Sequence, residues 1–309
     1  MISYSIIIPH KNSAEELQYC LESIPVREDV QVIVVDDNSD PQKVDFSHFP
    51  QWKGMHFELY LTKEGRGAGY ARNVGLEYAI GKWVIFADAD DFFLPSFSEI
   101  LDEEKETEAD MVVFRPTAVL LPDRITESKR VDIYKEFVDR YLETQDETEL
   151  RIRWFPVWSK IYKRNVIMDQ GLRFEELHYS NDNMFSAQFG VVADKIILRD
   201  KSFYCVTESG HSLTSYFMKK PGEMQMRADT FFRVQQVLVD NGYPVDEKYA
   251  YFYLRMLFSG DKVLFFKYFD QMREMGYGRM RMIRELFKVN KSASRYKRSV
   301  YVFLKTAFR

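Results

Sequence analysis

The sequence predicts an α/β fold: a largely parallel sheet wrapped by helices on both faces, followed by a helical C-terminal region. Three observations carry this. Short continuous apolar runs alternate with amphipathic stretches from the first residues onward, as buried parallel strands and their crossover helices do. Two of the runs end on acidic clusters, Asp36-Asp37 and Asp88-Ala89-Asp90-Asp91, and open α/β sheets bind ligands at the carboxyl ends of their strands. Beyond residue 221 the strand pattern gives way to helical periodicity.

The first run, Tyr4-Ser5-Ile6-Ile7-Ile8, is a buried strand. Ser13-Ala14-Glu15-Glu16 has the form of a capping box, starting a helix that carries Leu17, Cys20, Leu21 and Ile24 on one face. A second strand, residues 31–35, ends in the Asx-rich turn at 36–40. Residues 56–61 give a third strand. Gly65-Arg66-Gly67-Ala68-Gly69 then leads into a helix through Ala71, Val74, Leu76 and Ile80. The fourth strand, residues 83–87, stops at Asp88. A helix near 96–106 and a strand at 111–114 follow, and the pattern weakens through 116–150. Residues 152–217 mix aromatics, short helices and a strand at 195–198. The expected organisation is an α/β body over 1–217 followed by a helical region over 218–309.

At 46% hydrophobic and 16% aromatic, with no repetitive or Gly/Ser-rich stretch, the chain has the composition to pack almost throughout. Cys20 and Cys205 stand far apart, which excludes a disulfide framework and a thiolate metal site, so both are expected in the core. No signal-like segment precedes the first strand, and no run is long enough to span a bilayer, so a cytoplasmic location is expected. The net charge of −4 divides into +9 on residues 279–309 and −13 on the remainder. A cationic stretch interleaved with apolar residues suits an anionic membrane surface or a solvated helix packed on the acidic body. No nucleic-acid-binding module accompanies it.

Asp88 and Asp90 offer oxygen ligands at a strand end, the donor set of Mg²⁺ or Mn²⁺, with Asp91 as a residue orienting the loop. Taken alone the triplet also reads as an Asp-rich turn. Its neighbours add more. Ser5-Ile6-Ile7-Ile8-Pro9-His10-Lys11-Asn12, Val34-Val35-Asp36-Asp37-Asn38-Ser39, Gly69-Tyr70-Ala71-Arg72-Asn73-Val74-Gly75 and Phe86-Ala87-Asp88-Ala89-Asp90-Asp91 follow one another in that order. Together they resemble the motifs of the inverting family 2 glycosyltransferases with the GT-A fold, a Rossmann-like sheet, over about residues 3 to 217. The resemblance implies a UDP-sugar donor held by Pro9, Asp37, Arg66, Arg72, Asp88 and Ala89. It also implies a divalent metal, Mn²⁺ or Mg²⁺, held by Asp90 and Asp88.

Trp158-Ser159-Lys160-Ile161-Tyr162-Lys163-Arg164 resembles the family's acceptor-side segment, and Ser180-Asn181-Asp182-Asn183 its Glu-Asp pair. Asp182 keeps the position of the catalytic base, while Asn181 replaces the glutamate. The residue pattern alone also reads Asp182 as a helix N-cap, with Met184, Phe185 and Phe189 on the buried face. The segment 207–215 resembles a loop that closes over the diphosphate, which makes His211 a candidate phosphate or metal ligand. Trp154 and Trp158 are candidates for stacking on the acceptor sugar or for the core. Arg66 and Arg72 reach phosphates or form ion pairs on their helix.

These readings combine into inverting transfer from a UDP-sugar to a hydroxyl of a glycan or lipid-linked glycan, in surface polysaccharide assembly. The basic segment 279–309 would lie peripherally on the inner face of the cytoplasmic membrane. A catalytically silent carbohydrate-binding protein of the same fold is the alternative, and a DxD phosphatase a weaker one. A dinucleotide site is disfavoured because the turn reads GxGxG and its acidic residues precede it.

Overall fold

The computed structural model describes residues 1–209 and 222–287. It divides into two compact units, Met1–Phe217 and Met218–Arg309.

In the first unit β1 (Tyr4–His10), α1 (Ala14–Ser23), β2 (Val30–Asp37), β3 (Phe57–Thr62), α2 (Ala68–Tyr78) and β4 (Trp83–Phe86) follow the expected alternation. Strands β1 and β2 are buried along their whole length, which is why they read as unbroken apolar runs. Ser13 begins α1, but no capping box forms: its hydroxyl turns to Lys11 O at 3.3 Å, and its amide donates to His10 Nε2 at 3.2 Å. Helix α2 stops before Ile80, which is 63% exposed instead of joining the buried face.

The chain continues through β5 (Phe92–Phe93), α3 (Phe97–Glu104), β6 (Met111–Phe114), β7 (Thr117–Leu120), α4 (Asp132–Thr144), α5 (Thr148–Ile152), β8 (Lys160–Lys163), α6 (Arg164–Asp169), α7 (Asn183–Val192), β9 (Ile196–Arg199) and β10 (Tyr204–Glu208). Seven strands form one sheet in the order β3-β2-β1-β4-β8-β6-β9, and β5-β10-β7 form a second. The large sheet is mostly parallel, with β8 inserted antiparallel between β4 and β6. Because β2 and β3 build outward on one side of β1 and β4 lies on the other, the strand order reverses between β1 and β4. In open α/β sheets such a reversal marks, at the carboxyl ends of the strands, the place where ligands bind.

Cys20 and Cys205 are buried and unlinked. Asp110 clips the far side of the sheet: Oδ1 meets Lys163 Nζ at 3.1 Å, and Oδ2 accepts from Asp194 N at 2.9 Å and Lys195 N at 3.3 Å.

The second unit contains α8 (Glu223–Asp240), α9 (Glu247–Gly260), α10 (Lys262–Glu274) and α11 (Arg279–Phe287) around its own apolar core. In α11, the start of the basic segment, Met282 is fully buried and Ile283 and Leu286 pack against that core. Arg281 pairs with Glu247 at 2.7 Å. The apolar side of α11 is therefore spent inside the unit. The rest of the basic segment, from residue 288, lies outside the described residues. Among the described residues no helix is long and apolar enough to cross a membrane.

Candidate active site

Three acidic positions are candidates: Asp36 and Asp37 at the end of β2, Asp88, Asp90 and Asp91 at the end of β4, and Asp182 before α7, whose neighbour Asn181 is tied to Asp88 through Arg72. On the β2 side, Asp36 and Asp37 are both 2% exposed and have different tasks. Asp36 is spent on structure: His10 Nδ1 lies 2.8 Å from Oδ2, and Ser39 N donates to Oδ1 at 2.8 Å. Because His10 Nε2 accepts from the Ser13 amide, the ring proton sits on Nδ1 and points at Asp36. Asp37 keeps one oxygen free. Its Oδ2 accepts from Gly67 N at 2.9 Å and Lys11 Nζ at 3.2 Å, while the buried Oδ1 has no partner. A buried acceptor without a donor is costly, so this oxygen fits a ligand N–H. The turn that delivers Gly67 N needs φ of +95° there, which glycine adopts without strain.

At the end of β4 the oxygen ligands of Asp88, Asp90 and Asp91 lie within 4.8 Å of one another. Asp91 is inward and committed: its Oδ2 accepts from Tyr204 Oη at 2.8 Å, and its Oδ1 from Thr207 N at 2.7 Å. It orients the loop, as expected. Asp88 Oδ1 is paired with Arg72 at 2.5 Å, leaving Oδ2. The Asp90 carboxylate has no ion pair or side-chain hydrogen bond among the described residues. Desolvation first, and then the Asp88 charge, push Asp90 up to about 6, while Arg130 pulls it back. Crowded carboxylates of this kind relax when a divalent cation neutralises them. The all-oxygen donor set of Asp88 and Asp90 therefore fits Mg²⁺ or Mn²⁺. Ala89 is buried between the two, and Pro9 is buried in β1 opposite Val35.

Asp182 sits directly before α7, half-buried, and makes no side-chain capping bond. The capping role that its position suggests is thus not realised, and among the described residues no other side chain pairs with the carboxylate. Burial raises its pKa, and Arg72 is the strongest opposing influence. Phe185 and Phe189 supply the buried face of α7, while Met184 is only half-buried.

Arg72 departs most from expectation. It is 6% exposed and bridges Asp88 to Asn181, whose Oδ1 it reaches at 2.8 Å, so it holds protein groups together and is not free to grip phosphate. Asn73 does similar work, exchanging two hydrogen bonds with the Phe174 backbone at 2.9 and 2.8 Å. Gly69 lies so close to the Glu175 carbonyl that no side chain fits between them. Residues 69–73 of α2 thereby anchor the loop that ends in Asp182. Arg66 is paired with Glu176 and lies 4.5 Å over the Tyr70 ring, so its charge is already answered.

Trp154 and Trp158 are core residues and present no face for a sugar. They are 1% and 7% exposed and pack on Tyr134 at 5.0 and 5.2 Å. His211 lies outside the described residues. Two residues near the site stand outside every motif of the sequence: Tyr204, which holds Asp91, and Arg130, whose charge acts on Asp90; Thr207, which also holds Asp91, and the buried Lys160 lie in quoted segments that gave them no role. Only long-range contacts reveal them.

A family model described as glycosyl transferase family 2 matches residues 5–168, just over half of the chain. Glycosyltransferase GlyA of Streptococcus pneumoniae serotype 4 is 27% identical over 82% of this chain and 37% of its own length. The poly(ribitol-phosphate) β-N-acetylglucosaminyltransferase TarS of Staphylococcus aureus is 29% identical over 70% of this chain and 38% of its own. The match thus spans well under two thirds of either relative. The crystal structure of S. aureus TarS 1–349 in complex with UDP-GlcNAc shares the fold. Its TM-score is 0.59 at 19% identity, covering 98% of this chain and 81% of that one. With the strand-order reversal between β1 and β4, a free acceptor oxygen on its β2 side, an acidic cluster at the end of β4 and the family match over residues 5–168, the chain belongs to glycosyl transferase family 2.

Proposed function

We propose that the chain transfers a sugar from a UDP-sugar, with inversion, to a hydroxyl of a glycan in surface polysaccharide assembly. The observation that carries this is the free Asp182 carboxylate, fixed through Asn181 and Arg72 to the aspartate at the end of β4. An inverting displacement needs one carboxylate beside the acceptor hydroxyl and a charge-neutralising site beside the leaving group, on opposite sides of the reacting carbon. In this reading Asp182 takes the hydroxyl proton as the bond to the sugar carbon forms and the bond to the diphosphate breaks. Asp37 Oδ1 accepts from an N–H of the uracil ring. Asp88 and Asp90 would hold the divalent cation, which when bound neutralises charge on the departing diphosphate.

UDP-GlcNAc is the donor to try first, since TarS carries it in the structure similar to this one. Residues 1–115 supply the nucleotide half and 116–217 the acceptor half. Residues 288–309 are assigned to an anionic membrane surface at the cytoplasmic face, supported by their basic and aromatic composition. The test is a panel of nucleotide sugars with and without Mn²⁺, read as nucleoside diphosphate release. Asp182→Asn should lower turnover by at least about 1,000-fold with donor affinity retained, as expected for removal of a general base together with its charge. Normal turnover in that variant, or no release from any donor with the native chain, would sink the assignment.

A further inference from the structure

Lys160 is 1% exposed, the one lysine in the buried set among the described residues. Burying an ammonium is expensive unless something answers its charge. Its Nζ donates to Trp154 O at 2.5 Å and lies 5.6 Å from the Trp154 ring, and it forms no ion pair among the described residues. A core position with one backbone acceptor would be served better by an apolar side chain.

Where β8 places it is informative. The antiparallel register sets Trp83 against Lys163 and Val84 against Tyr162, so moving back along β8 to Lys160 leads toward the end of β4 that carries Asp88. Two residues along the strand, on the same face, Tyr162 contacts Phe185 at 5.8 Å and Phe189 at 4.9 Å, both in α7. That face of β8 therefore lies against α7, and Asp182 stands at the start of α7. The backbone is bent to achieve this. Ser159 is 1% exposed with φ of +56° and its hydroxyl has no partner; Ser180, just ahead of the Asn181-Asp182 pair, also has φ of +56°. Left-handed serines cost of order 1 kcal/mol each and persist where the surrounding structure imposes them.

We propose that Lys160 is a positioning residue, its buried ammonium holding the Asp182 carboxylate ionised and ready to take the acceptor proton. The proposal rests on Asp182 acting as the base. Three other titratable groups act electrostatically with Asp182 besides Lys160: Arg72 from α2, Asp88 from the end of β4 and Tyr162 from β8. Burial raises the Asp182 pKa, and the cations Arg72 and Lys160 oppose it. Burial lowers Lys160 to about 7, and Asp182 is the charge that pulls it back up. Each charge thus favours the charged form of the other, with burial and Arg72 the larger influences on Asp182.

The test is the pH profile of kcat/KM in the native chain, Lys160→Gln and Lys160→Arg. Glutamine keeps a donor for Trp154 O and removes the charge. It should move the acid limb upward by roughly half to one pH unit, costing up to about tenfold below the limb, with KM for the donor unchanged; arginine should restore the native limb. An overall loss with the limb in place would mean that Lys160 only packs, and would overturn the proposal. A second measurement needs neither turnover nor a Lys160 variant: the lysine side-chain NMR titration of Lys160 in the native chain and in Asp182→Asn. Losing the carboxylate should lower the Lys160 pKa, and an unmoved titration overturns the coupling. If the coupling is seen but Asp182→Asn still turns over, the base assignment fails instead.

Discussion

Replacing Gly69 with alanine tests whether α2 sets the position of the base. A Cβ at Gly69 would lie 2.1 Å from the Glu175 carbonyl oxygen and 3.1 Å from Asn181 Cβ. Both are backbone or near-backbone atoms, so no side chain can swing aside. Restoring even a tight contact requires the 175–182 loop to move by about 1 Å, at an overpacking cost of about 1 to 3 kcal/mol. For a body of this size that is a fall in Tm of roughly 3 to 10 °C. A displacement of about 1 Å at a catalytic group costs on the order of 100-fold in rate. Gly75→Ala is the matched control. It adds a Cβ 2.4 Å from Ile7 Cγ2 in β1, the same kind of overpacking against a side chain away from the loop. Calorimetry should show comparable losses of Tm, while kcat/KM by nucleotide release should fall about 100-fold for Gly69→Ala and stay within about threefold for Gly75→Ala. Native turnover in Gly69→Ala, or equal losses in both, would refute the reasoning.

Two further outcomes are expected. Asp90 is raised to about 6 in the folded chain against 3.8 ordinarily, so above pH 6 its ionised form costs stability. Asp90→Asn should therefore stabilise the metal-free chain at pH 7 by about 1 kcal/mol, the two-unit shift being reduced by screening because Asp90 is partly open to solvent. The same variant should lose the rise in Tm that Mn²⁺ or Mg²⁺ gives the native chain, and an unchanged rise would remove Asp90 from the metal set. Asp110 behaves oppositely. Burial works against it, but Lys163 and the amides of residues 194 and 195 hold its pKa below 3.8, so its stabilisation is present at neutral pH and disappears as pH falls through the lowered value. Asp110→Asn should cost about 1 to 3 kcal/mol at pH 7, with the gap to the native chain closing below pH 4 in denaturant titrations; a constant gap would contradict the ionised role.

The sequence made β1, β2, β4 and β6 legible because each is buried on both faces and so reads as a continuous apolar run. It was less informative over residues 116–152, where β7, α4 and α5 are short or half-exposed and their periodicity competes with loop-like composition. The direction of β8 could not be read either, since apolar patterning carries no sign for strand polarity. Asp37, Asp88, Asp90 and Asp182 stood out through their motifs. The bridge made by Arg72 did not, because Arg72 reaches Asn181 across 109 residues of sequence and a helical arginine reads as a surface charge. Trp154 and Trp158 show the converse limit: a tryptophan lining a cleft and one filling a core are written with the same letter, and only the packing against Tyr134 separates them.

Helix α2 touches both sides of the candidate site. Gly67, its N-cap, donates to Asp37, while Gly69, Arg72 and Asn73 contact the loop that carries Asn181 and Asp182. The helix is thus a shared support of the Asp37 edge and the Asp182 loop. On the proposed function, a nucleobase at the Asp37 edge and the base Asp182 would share α2 as a common support, along a route that does not pass through the cation site.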